Sequence, residues 1–376
     1  MSRPFKNGRL FVLLAALLLA TAFQATAEPV KIAAIFALSG KAAQSNKPAI
    51  LGTKLAVDEI NQAGGVLGQQ MELLVLDNNS SPIGSHLAAQ QAVDAGVAAI
   101  IGSVWSSHSL AIAKVAEKNH IPMIATNSTI PSLTAIGDHI FRVCYDDNFQ
   151  GGVLARFAFE ELKAKTALIF VDIASDFSLN LAAIFSRSFQ SLGGKIVREI
   201  EYKIGNSVYF SQVREARTAD VDIVFFSGHN ESGIIVEKLQ EAGMKAIPLG
   251  SDGWDNAAFF ISGGNKIKQG YYLSHWQPNH EDPQARAFLE KYGNAGEIVA
   301  ATALAYDAVR ILAAAMTKAG ATDSAAIRNA LHNLPGFQGV TGEIKFDAQG
   351  NTAKPASIME IHHGVPSPYT THRISH

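Results

Sequence analysis

A single cysteine, Cys144, among 376 residues rules out any intramolecular disulfide, so the fold has to be held by its core. No paired-cysteine pattern and no H-E-x-x-H helix is present to bind a metal, and His362, His363, His372 and His376 read as scattered surface histidines near a tail. Charge is scarce too: 17% of residues carry one, and 31 Lys and Arg stand against 33 Asp and Glu. Without a polybasic run or a basic stripe interleaved with aromatics, a phosphate-backbone binder is excluded and nucleic acid is not expected as a partner. A G-x-S-x-G elbow and a phosphate-binding loop are also missing. The cluster Gly64-Gly65-Val66-Leu67-Gly68 follows a helical pattern, whereas a dinucleotide fingerprint follows a strand, so it reads as a helix stop and turn. No cofactor and no metal are expected, and an enzyme acting on a small carboxylate stays a remote alternative.

What the chain does have is apolar residues, 48% of the total, enough to bury a substantial core, and a length that favours two domains. Part of that excess sits at the start. Arg3, Lys6 and Arg9 precede the apolar run Leu10–Ala22, and Ala25-Thr26-Ala27 supplies small residues for cleavage, the pattern of a secretory signal peptide over 1–27. The run has 13 residues, short of the roughly 20 that cross a bilayer. Cleavage after Ala27 leaves 28 Lys and Arg against 33 Asp and Glu, a mildly acidic product. Glu28, where a lipid-modified cysteine would stand, points to a soluble periplasmic protein. Past residue 27 no stretch is expected to span a membrane.

Apolar periodicity alternates between strand and helix. Val30–Ala37 reads as strand, Ala49–Ile60 as helix, Met71–Leu76 as strand, Ser85–Ala95 as helix, Ala98–Ile101 as strand, Ser109–Asn119 as helix and Pro122–Ala125 as strand. The alternation restarts near Gln150 and runs to Leu249, with a further strand at Tyr271–Trp276 and helices at Pro283–Tyr292, Ile298–Ala319 and Ser324–Leu334. The tail from Gly342 to Ile361 reads as a β pair turning at Asp347-Ala348-Gln349-Gly350. The expected fold class is α/β, two Rossmann-like lobes with doubly wound parallel sheets. No low-complexity linker separates the halves, which predicts short strand-like crossovers near Arg142, His275 and Phe346.

In open α/β sheets ligands gather beyond the carboxyl ends of the strands. After Ile101 comes Gly102-Ser103-Val104-Trp105-Ser106-Ser107-His108-Ser109, hydroxyl-rich and running into a helix. Two readings stand: a carboxylate site built from backbone N–H groups and serines, or ordinary N-capping. Thr126-Asn127-Ser128-Thr129 follows the next strand as a second hydroxyl and amide cluster, either converging on the same anion or turning before Pro131. In the second half the corresponding loops hold Asp172 to Ser178, Ser227-Gly228-His229-Asn230-Glu231 and Gly250-Ser251-Asp252-Gly253-Trp254-Asp255. An anion site on one lobe facing a carboxylate on the other suits a zwitterion, whose charges are costly to desolvate unpaired. Phe177 reads equally as helix packing, and Trp254 as a lid over the core.

Taken in order, Ile35-Phe36-Ala37-Leu38-Ser39-Gly40, Ala56-Val57-Asp58-Glu59-Ile60-Asn61-Gln62-Ala63-Gly64-Gly65-Val66-Leu67-Gly68, the Ser106-Ser107 loop, Asn127-Ser128-Thr129 with Pro131 and Leu133-Thr134, and Gly250 to Asp255 resemble the branched-chain amino-acid (leucine/isoleucine/valine) family of periplasmic binding proteins. The resemblance covers nearly the whole chain after residue 27. It implies two lobes joined by three crossover strands (residues 28–142 plus 277–346, and 143–276 plus 347–376), a small-molecule ligand trapped in the cleft, a monomer, and delivery to an inner-membrane ABC permease. It also implies that Ser106 and Thr129 hydroxyls hold the ligand carboxylate with Ser107 and Asn127 helping, and that Asp252 receives the ammonium. Phe177 and His229 then take wall positions. Ser45 stands where the family often has an aromatic ring and Trp105 where some members have a cysteine, and Ser128 and Trp254 complete the candidates. These departures leave open an aromatic or other carboxylate without an ammonium as ligand. A sensor role in place of transport is also open.

Overall fold

The computed structural model describes residues 28–204, 209–278 and 281–369. The expected signal peptide, its cleavage site, His372 and His376 lie outside the described residues. The first sheet has five parallel strands in the order β2-β1-β3-β4-β5, with β1 Val30–Phe36, β2 Met71–Asp77, β3 Ala99–Ile101, β4 Met123–Ala125 and β5 Ile140–Arg142. Successive side chains on a strand point to opposite faces, and β1 is apolar on both. Ile32, Ala34 and Phe36 pack with helices α1 (Ala43–Gln62) and Ala300–Ala319, while Ala33 and Ile35 pack with α2 (Pro82–Asp94) and α3 (Ser106–Lys118). α1 stops at the glycine cluster, as the sequence predicts. Gly65 has φ +81°, and a Cβ there would meet the Gln69 carbonyl at 2.0 Å, so only glycine fits the turn into β2.

The second sheet has seven strands, β14-β13-β10-β9-β8-β6-β7. β6 (Thr166–Asp172), β7 (Lys195–Tyr202), β8 (Ile223–Phe226), β9 (Ile247–Gly250) and β10 (Gln269–Ser274) are parallel, as expected. Helices α4 (Asp147–Arg156) and α5 (Asp176–Ser191) cover one face, and α6 (Phe210–Ala216), α7 (Ser232–Glu241) and α8 (Ala257–Ile261) the other. The tail departs from expectation. The turn at Asp347–Gly350 forms, with Asp347 Oδ1 accepting from the Gln349 and Asn351 N–H groups, but it closes only an isolated bridge between Phe346 and Thr352. Of its flanks, β12 (Gly342–Ile344) pairs back onto β11 (Phe337–Gly339), and β13 (Ser357–His362) joins the second sheet antiparallel to β10 and to β14 (Val365–Pro368). Joining the large sheet buries Ile358 and Ile361, which a free-standing hairpin would expose.

The chain passes between the sheets three times: after Arg142, after Ser274, and between Ile344 and Ser357. Among the described residues these crossings are irregular apart from single bridge residues at Phe346, Thr352 and Ala356, where the sequence suggested strand-like connections. Three helices complete the first lobe: α9 (Pro283–Tyr292), α10 (Ala300–Ala319) and α11 (Ser324–His332). By length and composition α10 is long and apolar enough to cross a membrane, contrary to the expectation that no such stretch follows residue 27. It is the central helix of the first core, with Ala303, Leu304, Ala305, Ala308 and Val309 fully buried. α10 lies so close to α1 that a Cβ on Gly52 would meet the Thr302 carbonyl at 2.0 Å.

Candidate functional site

Where the carboxyl ends of the two sheets face each other lies a cavity of about 490 Å³, its opening to solvent included. The first lobe lines it with Ser45 at the start of α1, Val104, Trp105 and Ser106 after β3, Asn127 and Thr129 after β4, and Ala301 of α10. From the second lobe come Phe177 after β6, His229 and Asn230 after β8, and Asp252, Gly253, Asp255 and Asn256 after β9.

Local folding explains the aim of each loop. α3 starts at Ser106 behind Trp105 with no side-chain cap, so ordinary N-capping is not what the serines do. Ser109 Oγ instead accepts from the Ser103 N–H at 2.9 Å and lies 2.5 Å from Ser128 Oγ, stitching the two first-lobe loops together behind the cavity. Ser106 Oγ accepts from the Ile130 N–H at 3.4 Å. The His108 and Ser109 N–H groups donate to the Trp105 carbonyl, which leaves the Ser106 and Ser107 N–H groups without a partner within the helix, and the positive end of α3 faces the cavity. Beneath the Thr126–Ile130 loop, fully buried Arg142 donates to the carbonyls of Ser128 at 3.1 Å and Ile130 at 2.9 Å, which fixes the loop without contributing a charge to the cavity wall.

Acceptors converge from both sides. Asn127 Oδ1, Asn230 Oδ1 and Asp252 Oδ1 are buried and have no hydrogen-bond partner among the described residues. Leaving such a group unsatisfied costs about 1–3 kcal/mol, so their concentration at one cavity marks a place that a ligand completes. Asp252 is held from behind: its N–H donates to Gln150 Oε1 at 2.8 Å, and its Oδ2 lies 3.0 Å from His275 Nε2. Burial pushes the neighbouring Asp255 carboxyl up to about 7, the Ser274 hydroxyl pulling down and the charges of Asp252 and Glu297 pushing further up. Burial also raises Asp147 to about 7, opposed by the Thr129 hydroxyl and the Asn180 amide and reinforced by Asp252. The rim is aromatic. His229 stacks on Trp105 across the cleft at 4.5 Å between ring centroids and tilts against Phe177 at 4.9 Å. Burial lowers His229 to about 4 against the pull of Asp252, with His108 and Lys41 adding to the depression, so its ring is neutral at pH 7.

Two lobes around a buried polar cavity at the sheet ends are what the family model described as "Periplasmic binding protein" describes, and it matches residues 29–364. The chain belongs to the periplasmic binding protein family. Among curated relatives of this binding protein, the Leu/Ile/Val-binding protein homolog 3 of Brucella melitensis is 28% identical over 335 residues, covering 87% of this chain and 89% of the relative. Among solved structures, the leucine binding protein LivK of Thermotoga maritima is 31% identical with TM-score 0.86, covering 91% of this chain and 98% of that one. The branched-chain amino acid transporter substrate binding protein LivJ of Streptococcus pneumoniae, in complex with isoleucine, is 29% identical with TM-score 0.86, covering 92% and 99%.

Against the sequence expectations for such a binding protein, the structure brings Ser45, Trp105, Ser106, Asn127, Thr129, Phe177, His229 and Asp252 around one cavity. Three expected residues stand apart from it. Ser107 is half-buried one position along α3 and does not line the cavity. The Ser128 side chain turns back onto Ser109 and the Ser103 carbonyl, because alternate residues of the loop face opposite ways. Trp254 is fully buried in the second core, stacked on Phe259 at 4.3 Å, so the core reading of that residue holds. Sequence reasoning missed Val104, Asn230, Gly253, Asp255, Asn256 and Ala301. The first five sit in or directly beside the loops already singled out, and the rule that sheet-end loops carry the site reaches them. Ala301 comes from a helix distant in sequence, and no local signal marks it. Among the described residues no group of three or more His, Cys, Asp or Glu is arranged to hold a metal.

Proposed function

We propose that this chain is the soluble periplasmic solute-binding component of an ABC importer, released after cleavage near Ala27, and that its ligand is an amino acid, branched-chain or related. The observation that carries the reading is the opposed polarity of the cavity. On the first lobe, the amino end of α3 with the Ser106 and Thr129 hydroxyls offers donors to a carboxylate. On the second, Asp252 offers an unpartnered carboxylate oxygen to an ammonium. An α-amino acid carries both charged groups on the same carbon, so one small molecule satisfies both lobes at once. Closure follows: a ligand that contacts both lobes binds the closed form better than the open one and shifts the population towards it, which is the signal an inner-membrane permease reads. The leucine- and isoleucine-binding names of the relatives support this class. In this reading the chain binds and releases without chemistry, as a monomer, and the lobes comprise residues 28–142 plus 277–346 and 143–276 plus 347–376.

The aromatic rim of Trp105, His229 and Phe177 favours a second reading, an aromatic carboxylic acid as ligand. A thermal-shift screen of the purified protein against amino acids and against aromatic and aliphatic acids without an ammonium separates the two. A ligand at 100 times its dissociation constant adds about 2.7 kcal/mol of stability. Shifts confined to amino acids are expected; shifts with aromatic acids alone would replace the first reading by the second.

A further inference from the structure

Asp252 is tied to the part of the molecule that must bend when the lobes open. Its Oδ1 is buried at the cavity without a partner, and its Oδ2 lies 3.0 Å from His275 Nε2. A carboxylate only accepts, so Nε2 carries the hydrogen and donates it. His275 is the first residue after β10, in the second crossing, and its side chain is almost fully buried. Its ring stacks on Tyr145 of the first crossing at 3.8 Å between centroids, the planes 29° apart. The residue before it, Ser274, places its hydroxyl 2.6 Å from Asp255 Oδ2, so the dipeptide Ser274-His275 grips both acids of the loop after β9. Gln150 of α4, just past the first crossing, accepts the Asp252 N–H.

We propose that His275 is a positioning residue for ammonium recognition: it holds Asp252 Oδ2 so that Oδ1 faces the ligand, and its stack on Tyr145 couples that carboxylate to the hinge. This rests on the amino-acid reading above and deepens it. An imidazole N–H suits the task because it orients the carboxylate through a single donated hydrogen bond. Among the described residues nothing else bonds to the Asp252 carboxylate oxygens, so without His275 the side chain is free to turn Oδ1 away from the cavity.

The test uses L-leucine and 4-methylpentanoate, its counterpart without the ammonium, titrated calorimetrically into the wild type and into His275→Phe and His275→Gln. Loss of the positioning bond in His275→Phe is expected to weaken leucine about tenfold or more while leaving 4-methylpentanoate within about twofold. His275→Gln, which keeps an N–H donor, recovers most of the leucine affinity. Tyr145→Leu removes the ring under the imidazole but leaves both bonding partners; it serves as the second variant should His275→Phe not fold, and it is expected to weaken leucine selectively. Wild-type leucine affinity in His275→Phe overturns the proposal, as does an equal loss for both ligands, which would mark His275 as merely structural. A wild type that binds 4-methylpentanoate but no amino acid overturns the amino-acid reading, and this one with it.

Discussion

At the scale of single residues, the cavity is a set of hydrogen-bonding groups held ready by neighbours that do not touch a ligand. Thr129 and Ser106 are nearly fully buried, and each supplies one hydroxyl to the end of the cavity that suits a carboxylate. Thr129→Ala or Ser106→Ala is therefore expected to weaken binding of the ligand found in the screen by about 1–3 kcal/mol, the worth of one hydrogen bond to a charged group, with folding intact. Isothermal titration checks this, and unchanged affinity would remove the residue from the site. These positions were legible in the sequence because they follow strands that apolar periodicity identifies. Ser128 and Trp254 were candidates on the same grounds and face elsewhere, since proximity in a loop does not say which way a side chain turns. His275 escaped notice as a site residue because the strand was read to run through it to Trp276, whereas β10 ends at Ser274, and its partner Asp252 is 23 positions away.

Elements carry a different kind of information. Helix Pro283–Tyr292 forms over the residues that periodicity predicts, with Ala285 and Phe288 on its buried face, and strand Ala99–Ile101 lies within its predicted span and is buried on both faces. β5 was missed because Ile140-Phe141-Arg142 is too short for a period to show. The tail was misread because a turn signal at Asp347–Gly350 fixes a reversal but not the partners of its flanks, which depend on the second sheet. α1 and α10 meet at close range in the first lobe. Gly52→Ala puts a methyl into the Thr302 carbonyl and pushes two 20-residue helices apart, an overpacking expected to cost about 1–3 kcal/mol in urea unfolding. Gly64→Ala meets open space and serves as the comparison, its cost confined to the positive φ of +101°.

For the whole molecule, buried ionisable groups set opposing slopes of stability against pH. Asp147 and Asp255, raised from 3.8 to about 7, bind more protons folded than unfolded, so their contribution is fully present below about pH 4 and declines as pH rises to about 7. His108 and His229, lowered by burial from 6.5 to about 4, bind more protons unfolded, so their contribution is lost as pH falls from about 6.5 to about 4. The four groups offset one another, and ligand-free stability is expected to vary little between pH 4.5 and 6.5 on their account. His229→Phe should make the protein gain stability on acidification relative to the wild type, and Asp255→Asn should make it lose stability. Thermal unfolding at several pH values reads both, and parallel profiles for the variants and wild type would refute the assignment.

The ring contact between Trp105 and His229 has a practical side. Of the three tryptophans, Trp254 is packed inside the second core and Trp276 inside the first, whereas Trp105 alone meets a ring from the opposite lobe. Opening the cleft is expected to break that stack and wet the Trp105 indole, while Trp254 stays inside the second core. The chain thus carries its own optical gauge: a change in tryptophan emission on adding ligand reports the angle between the lobes without any attached dye, and Trp105→Phe silences it.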